Sequence, residues 1–304
     1  MTSTQTLHRL IRGDARDLSK IPDASIHLVV TSPPYWNLKE YPQTPGQIGN
    51  MDDYEAFLNE LDRVWEHCFR VLVPGGRVCC VVGDICISRR NGGRHFVVPL
   101  HSDIQVRSRR LGFDSLTPVL WLKVANIRME ASKSSRFLGK PYLPNGIIKN
   151  DIETIVMLRK PGNGGKRGYR SPTPEMEATS RIGKKEYFSW FQPIWSDVPG
   201  ASLRHHPAPF PKEIPYRLIR MFSFAGDTVL DPFVGTGTTM LAAIETGRNS
   251  IGVEVNPDYI GLAKHNIEKA SSNLWSTNIF KTENWIEENP SSAFEGLAQK
   301  AFQS

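Results

Sequence analysis

Apolar residues along the chain fall into short continuous runs that alternate with stretches of helical spacing. His8–Arg12 reads as a short strand ending at the acidic turn Gly13-Asp14, and Ile26–Val30 as a buried strand stopped by Thr31-Ser32-Pro33-Pro34. Between Asp52 and Val73, the residues Tyr54, Phe57, Leu61, Val64, Trp65 and Phe69 recur at helical spacing, and Pro74-Gly75-Gly76 ends the predicted helix. Arg77–Asp84 predicts another buried strand with an acidic residue at its end, Phe96–Leu111 a helix, and Leu116–Lys123 and Asp151–Leu158 further strands. The pattern resumes with Pro211–Phe224 (helix), Thr228–Phe233 (strand), Thr238–Arg248 (helix), Ser250–Val255 (strand) and Pro257–Lys269 (helix). Strands alternating with helices predict an α/β fold whose mainly parallel sheet is covered on both faces.

Composition changes this picture in two places. From Lys160 to Lys185 the chain carries Lys160, Lys166, Arg167, Arg170, Arg181, Lys184 and Lys185 among glycines and prolines, opposed by Glu175 and Glu177. That stretch reads as a basic, loop-rich insertion suited to phosphate contacts, so these residues are the expected DNA-binding set. The tail after Ala270 is polar, with a helix expected around Ala293–Phe302. The predicted organisation is therefore a first half over 1–158, an insertion over 159–200, a second half over 201–271 and a tail over 272–304. A net charge of +6 agrees with a polyanionic partner without demanding one. The chain has no apolar run of membrane-spanning length, and Met1–Leu7 lacks a signal-peptide hydrophobic region, so a cytoplasmic, nucleoid-associated location is expected. Cys68, Cys79, Cys80 and Cys86 show no zinc spacing and read as small buried hydrophobes; no metal site is expected.

Two loops carry chemistry. In Thr228–Thr239 (TVLDPFVGTGTT) an apolar strand runs into Asp231, Pro232 and Phe233, then a glycine turn with Gly235, Thr236 and Gly237, then a helix opening at Thr238. Such a turn presents backbone N–H groups and a helix N-terminus to a ligand. Glu254 ends the next strand about 20 residues further on, where a carboxylate can accept from a ribose diol. A dinucleotide loop requires a third glycine where Met240 stands, and Asp231 would repel a pyrophosphate. An aspartate there suits the ammonium and sulfonium charges of S-adenosyl-L-methionine instead.

The second loop is Thr31–Trp36 (TSPPYW), leaving the carboxyl end of a buried strand, where open α/β sheets bind ligands. An exocyclic amino nitrogen of a base is a poor nucleophile because its lone pair is delocalised into the ring. Two acceptors gripping its hydrogens, the Ser32 hydroxyl and the Pro33 carbonyl, would free that lone pair for in-line attack. Pro33 and Pro34 fix the backbone direction, and Tyr35 is expected to stack on a base swung out of the duplex. Asp84 either orients Ser32 and relays its proton or caps a loop.

DPFVGTGTT followed by GVEVNPDY resembles the cofactor motifs of amino-methylating DNA methyltransferases, and His206–Pro211 is similar to the segment preceding them. The order, with TSPPYW before the insertion and the cofactor loop after it, resembles the β group of that family. The resemblance covers roughly Leu7 to Ala270 and implies a Rossmann-like fold with permuted motif order, S-adenosyl-L-methionine as cofactor and DNA as substrate. Serine before Pro-Pro is more typical of N4-cytosine enzymes, and aspartate of N6-adenine enzymes, so N4-methylcytosine is the favoured product and N6-methyladenine the alternative. The resemblance also offers Asp14 as acceptor for the cofactor's adenine amino group, against a helix N-cap at Asp14 or Asp17. It brings a homodimer and a separate cognate restriction endonuclease as expected partners. An inactive DNA-binding protein is the remote alternative. C5 methylation fits poorly, because no cysteine stands in a Pro-Cys loop.

Overall fold

The structure, a computed structural model, describes residues 5–36, 42–87, 92–123, 137–138, 144, 147–148, 150–162, 171–200, 211–272 and 278–286. In chain order the elements are β1 (Leu7–Arg12), β2 (Ile26–Thr31), α1 (Tyr54–Val71), β3 (Leu72–Val82), β4 (Ile85–Ile87), β5 (Phe96–Val98), α2 (Leu100–Arg110) and β6 (Asp114–Leu122). They continue as β7 (Phe137–Leu138), β8 (Ile147–Ile148), β9 (Ile152–Arg159), α3 (Pro174–Ser180), α4 (Lys184–Trp190) and β10 (Ile194–Trp195). The last are α5 (Glu213–Phe222), β11 (Thr228–Asp231), α6 (Thr238–Glu245), β12 (Asn249–Glu254), α7 (Pro257–Ser272) and β13 (Ile279–Asn284).

One sheet of nine strands has the order β10-β6-β9-β3-β2-β11-β12-β1-β13. Every neighbouring pair is parallel except those of β9, which runs antiparallel to β3 and β6. The α/β, mainly parallel expectation holds. On one face α1 and α2 bury Phe57, Leu61, Trp65, Leu100 and Ile104 with Ile26 and Val29 of β2. On the other, α5 and α6 bury Ile214, Leu218, Ala242 and Ala243 with Leu28 and Val30, and α7 packs alongside through Ala263 and Ile267. Leu28, Val29 and Val30 thus feed opposite cores in turn, which is why that stretch of β2 is a continuous apolar run.

Several boundaries differ from the sequence reading for local reasons. Phe96–Leu111 is not one helix: Phe96–Val98 pairs with Ile85–Ile87, and the helix begins after Pro99. A residue before proline is pushed to extended backbone, which separates the two elements there. Pro74-Gly75-Gly76, expected to end the helix, lies inside β3, which follows α1 directly at Leu72, with Gly75 at φ +81. The stretch expected to be loop-rich forms α3 and α4, the former capped by Thr173, whose hydroxyl accepts from the Met176 N–H. Residues 159–200 also supply β10 to the sheet, and the tail supplies β13. The helix expected at 293–302 lies outside the described residues.

After β2 the chain crosses by α1 to β3 on one side, and after β11 it crosses by α6 to β12 on the other. The neighbours β2 and β11 therefore form the topological switch point, and the crevice beyond their carboxyl ends is where such sheets bind ligands.

Candidate functional site

That crevice is lined by Gly13–Arg16 after β1, Ser32–Pro34 after β2, Gly46–Ile48, Pro232, Phe233 and Gly235 after β11, and Glu254, Val255 and Tyr259 around the end of β12. The structure thus brings together Asp14, Ser32, Pro33, Pro34, Pro232, Phe233, Gly235 and Glu254 from the expected site.

Glu254 is buried, with Oε2 accepting from the Gly235 N–H (3.0 Å) and Oε1 from the Asn256 N–H (2.9 Å). Burial pushes its carboxyl up to about 7. A carboxylate has about four acceptor sites, so Glu254 keeps capacity on the crevice side for two hydroxyls of a diol. Asn256 shapes the same corner: its side-chain oxygen accepts from the N–H groups of Asp258 and Tyr259, and its amide donates to Thr44 (3.1 Å).

Asp231 has a different role from the one expected. It is 1% exposed, Oδ1 accepting from Thr31 Oγ1 (2.7 Å) and the Phe233 N–H (3.1 Å), and Oδ2 from Thr239 Oγ1 (2.6 Å). The carboxylate is spent on protein donors and does not face a ligand ammonium group; it pins the cofactor loop to the end of β2. Burial raises its carboxyl to about 6. Gly237, at φ +88, caps α6 so closely that an added Cβ would sit 3.3 Å from Ala263 Cβ. Thr236 contributes a carbonyl that accepts from Asn266, and Thr238 opens α6.

Asp14 caps no helix. It heads a turn, accepting from the Arg16 N–H (2.9 Å), and holds the Arg16 guanidinium in two-point contact, Nε to Oδ1 at 2.9 Å and Nη2 to Oδ2 at 2.6 Å. Arg16 also pairs with Glu60, and these partners hold it firmly protonated. Gly46, at φ +87, lets its loop close over Asp14: an added Cβ would lie 3.0 Å from Asp14 Oδ2 and from Val255.

In the TSPPYW loop, Ser32 is half-buried and its Oγ lies 3.3 Å from the Tyr35 hydroxyl. The Tyr35 ring is 6% exposed and packs in the core with α1. In this arrangement the ring is covered, and its hydroxyl is the part that meets Ser32. Trp36 has φ +45, and among the described residues its buried Nε1 has no hydrogen-bond partner. A left-handed residue with a Cβ costs roughly 1–2 kcal/mol and an unmet buried donor roughly 1–3 kcal/mol. Its ring meets Tyr54 edge-on at 5.1 Å, and Tyr54 donates to Asp103 Oδ2 (2.8 Å). Asp84 does not bond Ser32; Oδ1 lies 2.6 Å from His101 Nδ1. The Ser32 relay is thereby unsupported.

The basic residues lie elsewhere. Lys160 donates to the carbonyls of Leu72 (2.8 Å) and Arg70 (3.3 Å) and lies over the Phe69 ring, so it ends α1 rather than touching phosphate. Arg181 lines a groove with Gly75, Arg77, Arg159 and Arg220 at the amino ends of the parallel strands, the pole opposite Ser32, and Lys184 and Lys185 follow it on α4. Lys166, Arg167, Arg170 and residues 206–210 lie outside the described residues. Among the described residues no cluster of His, Cys, Asp and Glu could hold a metal ion.

Sequence reasoning missed Arg16, Gly46–Ile48 and the Tyr54–Asp103 and Asp84–His101 pairs; Pro45-Gly46 was the only local signal for the second.

The family described as DNA methylase, covering N6 and N4 amino methyltransferases, matches residues 26–265. The Type II methyltransferase M.MjaI of Methanocaldococcus jannaschii is 39% identical over 280 residues, covering 83% of this chain and 88% of that protein. M.MthZI of Methanothermobacter thermautotrophicus is 32% identical, covering 87% and 78%. TTHA0409, a proposed DNA modification methylase of Thermus thermophilus solved with S-adenosyl-L-methionine, superposes with a TM-score of 0.75 at 48% identity, covering 92% of this chain and 100% of that one. The chain belongs to the DNA methylase family of N6 and N4 amino methyltransferases, in its β group.

Proposed function

We propose that the chain methylates the exocyclic N4 of a cytosine flipped out of double-stranded DNA. Membership of the family makes it a DNA methyltransferase with S-adenosyl-L-methionine as cofactor. The observation that carries the finer reading is Ser32: a neutral hydroxyl beside Tyr35, in the lining of the crevice that also holds the buried Glu254 carboxylate.

The crevice residues fit the cofactor. Glu254 has acceptor sites for a ribose diol, Asp14, its oxygens shared with Arg16, lines the same crevice, and Pro232, Phe233 and Ile48 supply apolar contact. Bound there, S-adenosyl-L-methionine supplies an electrophilic methyl group. Ser32 and the Pro33 carbonyl accept the two hydrogens of the target amino group, drawing its lone pair out of the ring. Ser32 Oγ lies 3.3 Å from the Tyr35 hydroxyl, and with Ser32 as the donor in that contact its Oγ lone pairs stay free to accept. The rigid Pro33-Pro34 backbone fixes these acceptors before the base arrives, so little ordering is needed at the moment of transfer.

The duplex approaches the carboxyl edge of the sheet. There Lys123 and Asp151, joined by a 3.1 Å backbone hydrogen bond, mark where the segment between β6 and β9 leaves and returns. M.MjaI and M.MthZI are named as Type II methyltransferases, which supports a separate cognate restriction endonuclease for this chain; a homodimer is the accompanying proposal.

Expression in a methylation-free host, followed by mass spectrometry of nucleosides and modification-aware sequencing, tests the reading. N4-methylcytosine at one sequence is expected. N6-methyladenine alone would overturn the base choice, and no modified base would overturn DNA as the substrate.

A further inference from the structure

β4 and β5 form a two-stranded antiparallel ribbon that the cofactor crevice does not use, with Ile85 opposite Val98 and Ile87 opposite Phe96. The ribbon follows the carboxyl end of β3 within three residues. β3 lies beside β2 with Cys80 level with Thr31, the residue before Ser32. The ribbon therefore stands at the same pole of the sheet as the gripping loop. Its foot is buried and its tip is not: Ile85 is 0% exposed, Val97 is 45% exposed, and Gly92, Gly93 and Arg94 are all exposed.

A two-stranded ribbon on its own is marginal in water, and this one is fastened at both ends. Ile87 and Val98 pack on the core that also seats Tyr35 and Trp36. Asp84, just before β4, has Oδ1 2.6 Å from Nδ1 of His101, just after β5, so the pair clasps the two feet together. At the tip an added Cβ on Gly92 would lie 2.6 Å from Ile87 Cγ2, which shows the turn packed down onto its own strand.

Charge singles out that tip. The stretch from Ile85 to Val98 contains no aspartate or glutamate. Arg16, Arg107, Arg159 and Arg217 each pair with a carboxylate. Among the described residues Arg94 has no such partner; its guanidinium lies over the Phe96 ring, 5.5 Å from the centroid. A ring brings no counter-charge, so a cation is held out on an exposed, braced turn.

We propose that the β4–β5 ribbon is a docking arm for duplex DNA, with Arg94 contacting a backbone phosphate on the side of the molecule where the target base enters. The proposal rests on the DNA reading given above. Phosphate is the occupant that the charge favours, because it supplies the missing anion and matches the forked donors of a guanidinium.

The test is fluorescence anisotropy of the full chain with a labelled mixed-sequence duplex over a series of salt concentrations, since phosphate contacts are independent of sequence. Arg94→Gln should weaken binding about three- to tenfold and lower the slope of log affinity against log salt by about 0.9, the amount for one phosphate contact, with cofactor Kd unchanged. Arg94→Lys should keep most of that slope, because the charge is retained. Lys185→Gln removes the same charge from the opposite pole and should leave the slope at its wild-type value. An unchanged slope in Arg94→Gln, or an equal fall in Lys185→Gln, would overturn the assignment. Wild-type protein that binds cofactor yet shows no salt-dependent affinity for the duplex would overturn the DNA reading beneath it.

Discussion

The two ends of the sheet treat charge in opposite ways. At the amino ends, cations are consumed by the fold. Lys160 closes α1, Arg77 lies 4.5 Å over Phe222, and Arg248 is buried with Nε on Ser223 Oγ and Nη2 on the Ser223 carbonyl. At the carboxyl ends, acceptors keep spare capacity: Glu254 has two backbone donors for about four acceptor sites, and Ser32 has one neighbour. The lesson is that density of basic residues in the sequence marks where charge is needed, which includes tying off helices and loop carbonyls. Function follows the end of the sheet at which strands leave polar groups unfinished.

Substitutions on either end sharpen or break this contrast. The largest effect is expected at the carboxyl end: Ser32→Ala should lower kcat about 10²–10³-fold, the scale for losing one preorganised hydrogen-bonding group, with cofactor binding retained. Single-turnover methylation with calorimetry checks it, and retained turnover would place the gripping acceptor elsewhere. Next, Glu254→Gln should weaken cofactor binding about tenfold or more, as expected for a charged hydrogen bond.

The same residue predicts a pH dependence. Burial raises the Glu254 carboxyl to about 7, above its ordinary value of 4.5, so ionising it costs the unliganded fold. Its contribution to stability is full below about 4.5 and is lost as pH rises through about 7. A diol donates best to the ionised form, so cofactor affinity should rise between about pH 6 and 8 in wild type and flatten in Glu254→Gln. Titration calorimetry across that range decides; an unchanged slope in the variant would assign the titration to another group.

At the amino end, Lys160→Ala should lower stability by about 1–3 kcal/mol, the range for hydrogen bonds to a charged group, while leaving turnover per folded molecule unchanged. Denaturant melts paired with activity assays separate the two. Smallest of all, combined Arg181→Gln, Lys184→Gln and Lys185→Gln should change DNA affinity by less than about threefold at physiological salt. A tenfold loss would break the contrast and return that pole to the DNA interface.

What the sequence showed follows the range of the interactions involved. β2, α1, β11 and β12 were legible because periodicity or a proline stop acts within a few residues. The residues lining the crevice were mostly legible because TSPPYW and DPFVGTGTT are contiguous. Asp231 was placed correctly at the strand end, but its bond to Thr31 was not legible, because β2 and β11 become neighbours only in the folded sheet. Tyr35 and Trp36 are indistinguishable as letters; only packing under β2 separates a buried ring from one on an unsatisfied seat. Which pole Arg181 and Lys184 occupy was not legible, because composition carries no information about where a crossover connection runs.

The bond from Thr31 to Asp231 has one more consequence. Thr31 immediately precedes Ser32, and Asp231 immediately precedes Pro232, so a single 2.7 Å contact couples the gripping loop to the cofactor loop. Motifs distant along the chain become one mechanical piece. A loop displacement large enough to break that contact also releases the residue next to Ser32, so neither loop can shift far without disturbing the other.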